Sequence, residues 1–338
     1  MRVEIITTRH WMGDARLNRH VAYLQEGGHA VRIRSFSDLG RFRSLVSALG
    51  AAIGSSADIL ILPDPELFAI GSLAARLSGK RAVVDIHEDY PGAARNRSWI
   101  PRPLKPAVTL LAGVVVALGR KLAWRVIVAA PQLSRTGDSV VLNVADPSAL
   151  TGRNSGKDPA LLVYVGDITN ARGAMEMIEV LAGLSQHRLL LIGPISSETR
   201  TVVTRVAEQL GVTQRVQLTG RLTHDEAWRM ASGAQFGLSL LHDTPAYRDA
   251  VATKLWEYLG LGIVPIVSAL PGQAAFVSRL DPRLVCSTPD EVTEVVTSLY
   301  QDDAALRDLS LRARDLAERD WDEARPDRAL RSVFTLDR

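Results

Sequence analysis

Short runs of β-branched and aliphatic residues alternate with helical stretches along nearly the whole chain, and this alternation constrains the fold more than any other feature. In the first half the apolar runs fall at 3–7, 30–36, 58–63, 82–87, 126–130 and 140–143, with helical periodicity over 15–25 and 67–77 between them. Strands that are apolar on both faces and separated by helices belong in a parallel sheet covered on both sides. Residues 144–159, rich in Pro, Gly, Ser, Asn and Asp, read as a linker. The rhythm then restarts, with strands expected at 161–165, 188–192, 216–219, 236–241 and 264–267, and helices at 174–184, 198–210 and 224–231. The stretch 302–338 is helical and broken at Arg325-Pro326, and no repeat of 20–50 residues is present. The expected architecture is α/β: two doubly wound, Rossmann-like domains facing a cleft, with ligand loops at the carboxyl ends of the strands.

Composition narrows the class. Of the 338 residues 46% are apolar and 23% charged, so the chain has substantial cores and is not a disordered or collagen-like polypeptide. A single cysteine, Cys286, precludes an intrachain disulfide and suits a reducing, cytoplasmic compartment. The opening residues carry Glu4 and Arg9 and no long apolar core, unlike a signal peptide. The net charge of +3 conceals a division: residues 1–150 hold 19 basic and 12 acidic residues (+7), and the rest hold 21 and 25 (−4). A basic half concentrates anionic partners, or its arginines are merely solvated; both readings stay open. Without a run of five like charges or basic–aromatic interleaving, nucleic acid is not expected as a partner. The thirteen uncharged residues 107–119 are too few to span a bilayer. They read either as a buried helix or, given Lys105, Arg120 and Lys121 on the flanks, as a contact with an anionic membrane or an acceptor lipid.

Three loops carry chemistry. Residues 164–173 run from a strand through Gly166 into a helix beginning after Arg172-Gly173, a shape that brings backbone N–H groups and a guanidinium to a phosphate. Residues 249–259 place Thr253 as an N-cap and Lys254 at the start of a helix, with Glu257 one turn in, where a carboxylate can hold ribose hydroxyls. Residues 83–91 bring His87 to the carboxyl end of a central strand beside Asp85, Glu88 and Asp89. HExxH, GxSxG and GxxxxGK[ST] patterns do not occur, and the seven histidines form no metal-ligand set.

Taken in order, these segments resemble the retaining GT-B glycosyltransferases of family GT4, over nearly the whole chain. Gly166…Arg172-Gly173 is similar to the family's G-x6-G phosphate loop, and Asp249 to Glu257 reads D-x7-E where the family has E-x7-E. Asp64-Pro65-Glu66-Leu67, the 85–91 segment and Gly13-Asp14-Ala15-Arg16 resemble first-domain patterns of one branch. Residues 216–221, ending in Arg221, sit where the family binds the nucleobase, and Trp321 resembles the tryptophan before a last helix that crosses back. The resemblance implies an acceptor-side domain at 1–150, a donor domain at 157–318 and a returning helix at 319–338. It implies that Glu257 holds the donor ribose, that Arg172, Lys254 and the Thr253 helix end hold the diphosphate, and that Asp249 and His87 flank the transferred sugar. It also implies a UDP- or GDP-sugar donor, no metal or other cofactor, and a hydroxyl acceptor on a glycolipid, polysaccharide precursor or small molecule, in the cytoplasm or at the inner face of the membrane.

Three departures stand out. Asp167 follows the first loop glycine where the family often has Arg, the first glycine-rich loop is reduced to Gly13, and Asp249 is one methylene shorter than Glu. Arg9, Arg16 and Arg221 are the candidates to replace the missing cation. These departures keep two other classes in play: a GT-B-like binding protein without chemistry, and a nucleotide-sugar epimerase.

Overall fold

The computed structural model describes residues 1–11, 14–96, 100–151 and 156–335. The chain divides into two compact units, Met1–Asn143 with Ala324–Arg338, and Val144–Glu323. In the first, β1 (Arg2–Thr7), α1 (Ala15–Glu26), β2 (Ala30–Ser35), α2 (Arg41–Gly54), β3 (Ile59–Leu62), α3 (Pro65–Leu77) and β4 (Arg81–Ile86) alternate without exception. They are followed by α4 (Tyr90–Asn96), α5 (Lys105–Leu122), β5 (Arg125–Val128) and β6 (Ser139–Val140). The six strands form one parallel sheet ordered β2-β1-β3-β4-β5-β6. Because β3 is buried at every position, its sequence Ile-Leu-Ile-Leu is apolar throughout rather than alternating. Asp14 caps α1 by accepting from the backbone N–H groups of Arg16 and Leu17.

The second unit begins with α6 (Ser148–Thr151) and β7 (Asp158–Val165), then α7 (Ala174–Gly183), β8 (Arg188–Ile192), α8 (Ser197–Gln209), β9 (Val216–Leu218), α9 (His224–Ala231) and β10 (Ala234–Ser239). It continues with α10 (Lys254–Gly260), β11 (Val264–Ser268), α11 (Pro271–Val277), β12 (Val285–Cys286), α12 (Pro289–Gln301) and α13 (Asp303–Ala324). Its parallel sheet is ordered β12-β11-β10-β7-β8-β9. A capping box at Thr223 and Glu226 starts α9 and fixes His224 at its first turn. The final helix, α14 (Pro326–Thr335), packs on α1 and so belongs to the first unit.

In both sheets the strand order reverses beside the first strand of the unit, between β1 and β3 and between β7 and β10. The strand ends there diverge and leave a crevice for ligands.

Two features differ from the sequence reading. The division falls after Asn143, ahead of residue 150, and the return falls at Ala324 instead of 319. Residues 144–151 are not a bare linker, because Ala145 and Leu150 are buried in the second unit's core. The apolar stretch at 107–119 is also longer and more exposed than a buried thirteen-residue helix. It belongs to an eighteen-residue helix in which only Val116 and Gly119 are buried. Residues Arg102–Leu122 are long and apolar enough to cross a membrane, with mean hydropathy 1.4 in the most apolar window.

Candidate functional site

The second unit builds a cationic cradle at its switch point. Strand β7 delivers Gly166 with φ +138°, and Gly173 opens α7 with φ +79°. Both conformations favour glycine, and a Cβ at Gly173 would also collide with the Leu240 carbonyl on the neighbouring β10 connection. A Cβ on Gly166 would sit 3.3 Å from Lys254 Nζ, 3.3 Å from Tyr164 Oη and 3.6 Å from Arg172 Nη1. Those three groups therefore line the space above the Gly166 backbone.

Lys254 Nζ lies 3.6 Å from the centre of the Tyr164 ring, a cation–π contact. Burial and the neighbouring Arg172 charge push its ammonium well below the usual lysine range. Arg172 is held by its Nε donating to Tyr247 Oη at 3.2 Å. Burial opposes its charge, but the Tyr247 hydrogen bond and nearby Tyr164, Tyr247 and Asp167 outweigh that and raise its pKa. Burial likewise pushes the Tyr164 phenol up to about 12, and its hydroxyl donates to the Asp167 carbonyl at 2.8 Å. The Asp167 carboxylate is 57% exposed and 3.6 Å from Arg172, too far for a direct hydrogen bond. The cradle is thus a pair of partly desolvated cations whose nearby acid, Asp167, is only loosely engaged, which suits a dianionic ligand.

Glu257, one turn into α10, is buried, and its Oε1 lies 2.7 Å from His224 Nε2. His224 escaped the sequence reading because 33 residues separate it from Glu257; no local spacing reports a contact between two helices. Tyr258 fixes the root of the cradle: its buried hydroxyl accepts from the Val165 N–H at 3.2 Å.

The other expected donor residues are placed differently. Thr253 is itself helical and its side chain does not cap α10, so the expected N-cap is absent. Lys254, the first residue of α10, adds its charge to the positive end of the helix dipole. Arg221 and Asp249 are both exposed, following β9 and preceding α10. Arg16 is not available as a replacement cation, since it is buried and spends its guanidinium on Asp85 and the Val141 carbonyl. Arg9 donates to Glu66 at 2.5 Å. Gly13 lies outside the described residues.

The first unit gathers a second set of groups at the ends of β1, β3 and β4. His87 follows β4, and its ring meets that of His10 edge-on at 5.1 Å and that of Tyr90 at 5.8 Å. His10 Nδ1 is 2.8 Å from Asp14 and its Nε2 3.4 Å from Asp64. Burial lowers the basicity of His10, but the Asp14 hydrogen bond and the charges of Asp14, Asp64 and Asp85 outweigh it, so its pKa is raised. For His87 burial dominates over the Asp85 charge, and its pKa is lowered. Two adjacent imidazoles are thus pushed in opposite directions, one toward the charged form and one toward the neutral form. Asp64 is buried and accepts from Thr7 Oγ1 at 2.6 Å and the Thr8 N–H at 2.7 Å. His10, Asp64, His87 and Tyr90 line a cavity of about 280 Å³. His10, Asp64, His87 and Glu88 make its polar wall, and Ile100, Val108 and Ala112 its apolar wall. His10 was invisible to local motif reading, because it meets His87 only through the pairing of β1, β3 and β4.

Among the described residues no group of three or more His, Cys, Asp or Glu side chains is arranged to hold a metal ion. Residues 151–316 match the family model for glycosyl transferases group 1. A comparison with curated protein sequences gives no match. Among solved structures, Anabaena HepE in complex with UDP and glucose aligns over 99% of each chain with a TM-score of 0.73 at 13% identity. Sucrose-phosphate synthase from Thermosynechococcus elongatus aligns over 99% of each chain with a TM-score of 0.72 at 14% identity. WaaG, a glycosyltransferase involved in lipopolysaccharide biosynthesis, covers 99% of this chain and 100% of its own with a TM-score of 0.58 at 14% identity. The fold is that of the GT-B glycosyltransferase structures, and the family match falls on the second unit.

Proposed function

We propose that the protein is a retaining, GT4-type glycosyltransferase that moves a sugar from a UDP- or GDP-linked donor to an acceptor hydroxyl. The observation that carries this reading is the Lys254–Arg172 pair around Gly166, two half-buried cations whose nearby acid, Asp167, is largely solvated. A diphosphate entering the cradle pairs with the Lys254 ammonium and accepts from Arg172 and from the backbone N–H groups of the loop. Glu257, steadied by His224, takes the ribose hydroxyls. Binding of UDP by the HepE structures supports the same class of donor.

In transfer, the bond between the sugar's anomeric carbon and the diphosphate oxygen breaks, and the acceptor oxygen bonds to that carbon on the same face. The acceptor proton leaves with the departing phosphate. Lys254 and Arg172 stabilise the charge that grows on the diphosphate, the main electrostatic task of the step, so no divalent metal is needed for it. The first-unit cavity receives the acceptor, where neutral His87 can accept a hydrogen bond and His10 can donate one. Asp249 completes the sugar contacts. The basic first half and the exposed helix α5 favour a membrane-linked glycolipid or polysaccharide precursor over a small soluble acceptor. The work site is then the cytoplasm, at the inner face of the membrane.

Calorimetric titration with UDP and GDP tests the donor assignment, followed by assay of donor turnover. One of the two nucleotides should bind without added metal, and Glu257→Ala should weaken it by ~10-fold, about the value of one hydrogen bond to a charged group. Failure of both nucleotides to bind would leave a GT-B-like protein without this chemistry. Isomerised donor sugar in the absence of any acceptor would identify an epimerase.

A further inference from the structure

The first unit exposes an apolar helical face that its own fold does not cover. Helix α5 turns Ala107, Leu110, Leu111, Val114 and Leu118 outward, and Leu104 just before it continues the stripe, a spacing of three and four residues that stays in solvent. Leu110 is 70% exposed and Leu111 61%. Its inner side packs on α3 and α4, and Gly119 lets it approach so closely that a Cβ there would sit 2.5 Å from the Phe68 Cβ. Helix α3 packs in turn on α2, and each continues the outer surface: Ile70, Leu73 and Leu77 on α3, Phe42, Val46 and Ile53 on α2. Among the described residues, 14 of the 18 exposed large hydrophobic side chains belong to the first unit. That asymmetry far exceeds the scattered apolar residues of an ordinary surface.

The helices of this face carry mainly positive charge, with the exposed acids Asp38, Glu88 and Asp89 confined to the segments before α2 and α4. Helices α2, α4 and α5 contain no Asp or Glu, and the one acid of α3, Glu66, is engaged by Arg9 and Thr8. Exposed Arg41, Arg43, Arg76, Arg95, Arg102 and Lys121 border the apolar surface. A protein partner would be expected to answer such a rim with acids of its own; an anionic bilayer answers both the rim and the apolar stripe at once.

Helix α5 does not cross the bilayer in this fold. It is the crossover between β4 and β5, adjacent parallel strands of one sheet, so both its ends are tied to the same unit. Threading it through a membrane would pull β5 and β6 out of the sheet and leave their backbone groups unpaired.

We propose that the outer face of α2, α3 and α5 docks on the headgroup layer of an anionic lipid bilayer, with α5 lying along the interface and the flanking arginines and lysines on the lipid phosphates. The inner side of the same helix contributes Val108 and Ala112 to the first-unit cavity, so docking brings that cavity to the depth at which lipid-linked hydroxyls are found. The proposal deepens the membrane-linked acceptor reading, yet its test measures binding alone, so it can fail while sugar transfer stands.

The test is co-sedimentation of the full chain with phosphatidylcholine vesicles, with and without phosphatidylglycerol. The wild type should pellet with the anionic vesicles and partly resist added salt, because apolar insertion survives screening. Leu111→Glu combined with Leu118→Glu should weaken association by ~10-fold or more, since two buried-in-lipid side chains become charged. Arg102→Glu combined with Lys121→Glu should lose binding mainly at low salt. Both variants should keep the wild-type thermal transition and nucleotide binding, which reads the second unit. Wild type that stays in the supernatant with anionic vesicles overturns the proposal, as does a Leu111→Glu/Leu118→Glu variant that pellets like the wild type. A dimer that dissolves on the same leucine substitutions, without vesicle binding, assigns the face to a second copy of the chain and overturns it equally.

Discussion

Each unit holds an arginine near its switch point, and the two use it in opposite ways. In the first, Arg16 forms a two-pronged pair with Asp85, at 2.9 and 2.7 Å, and donates to Val141. The Asp85 carboxyl, though burial raises its pKa, is held well below the ordinary range by that guanidinium. In the second unit, Arg172 and Lys254 sit half-buried side by side, and the nearest acid to Arg172, Asp167, is solvated and 3.6 Å away. A buried charge with a matched partner contributes to the fold, whereas like charges crowded together in a partly desolvated crevice are a cost that a ligand removes. The contrast separates residues that build the molecule from residues that wait for a substrate.

The largest expected effect strikes the first pair. Arg16→Ala leaves Asp85 charged and unpaired and should cost about 3–5 kcal/mol of stability in denaturant unfolding. A loss near zero would mean that the pair is not structural. The second pair should behave in reverse. Arg172→Ala should weaken UDP or GDP binding by about 1.5–3 kcal/mol, the value of a hydrogen bond to a charged group, while unfolding free energy stays level or rises. Equal losses of binding and stability would erase the distinction.

A pH measurement sharpens the comparison further. His20 is buried beside Arg16 and Asp85, and burial pushes its pKa down to about 3. Its unfolded form takes up a proton near pH 6.5, so the unfolded state binds more protons and stability falls as pH drops from there toward 3. The slope assigned to this one group is at most about 1.4 kcal/mol per pH unit, and His20→Gln should remove it from the stability–pH profile. The smallest effect belongs to Asp167. Asp167→Asn removes a solvated acid beside Arg172 and should tighten nucleotide binding by about 0.2–1 kcal/mol, the range of an exposed ion pair. Weakened binding would show that Asp167 positions the loop.

The sequence was legible where the physics is local. Strand β8 lies at 188–192 as expected, because a parallel strand covered on both faces is an uninterrupted apolar run. The two-residue β12 left no such run and was not expected. The break at Arg325-Pro326 was legible because proline cannot continue a helix, and Arg325 indeed turns there with φ 34°. Composition could not decide the surroundings of α5, since a helix apolar on all sides reads the same under a protein core or facing outward. In the site, Gly166, Arg172, Gly173, Lys254 and Glu257 were candidates from their loop patterns, and the structure gathers Gly166, Arg172 and Lys254 around one space. His10 and His224 were missed because their partners are distant in sequence, and the role of Arg16 was misjudged because nothing in its own segment announces Asp85.

The helix α14 has one more consequence, for the order of events during synthesis. Leu330 and Val333 are fully buried, and the helix covers α1, so the first unit is built from both ends of the chain. The ribosome must make roughly 180 residues of the second unit before that last helix exists. At ~5–20 residues per second this is a wait of about 10–40 s. Through that interval α1 stays uncovered, and the nascent first unit offers chaperones an apolar surface that the finished protein conceals.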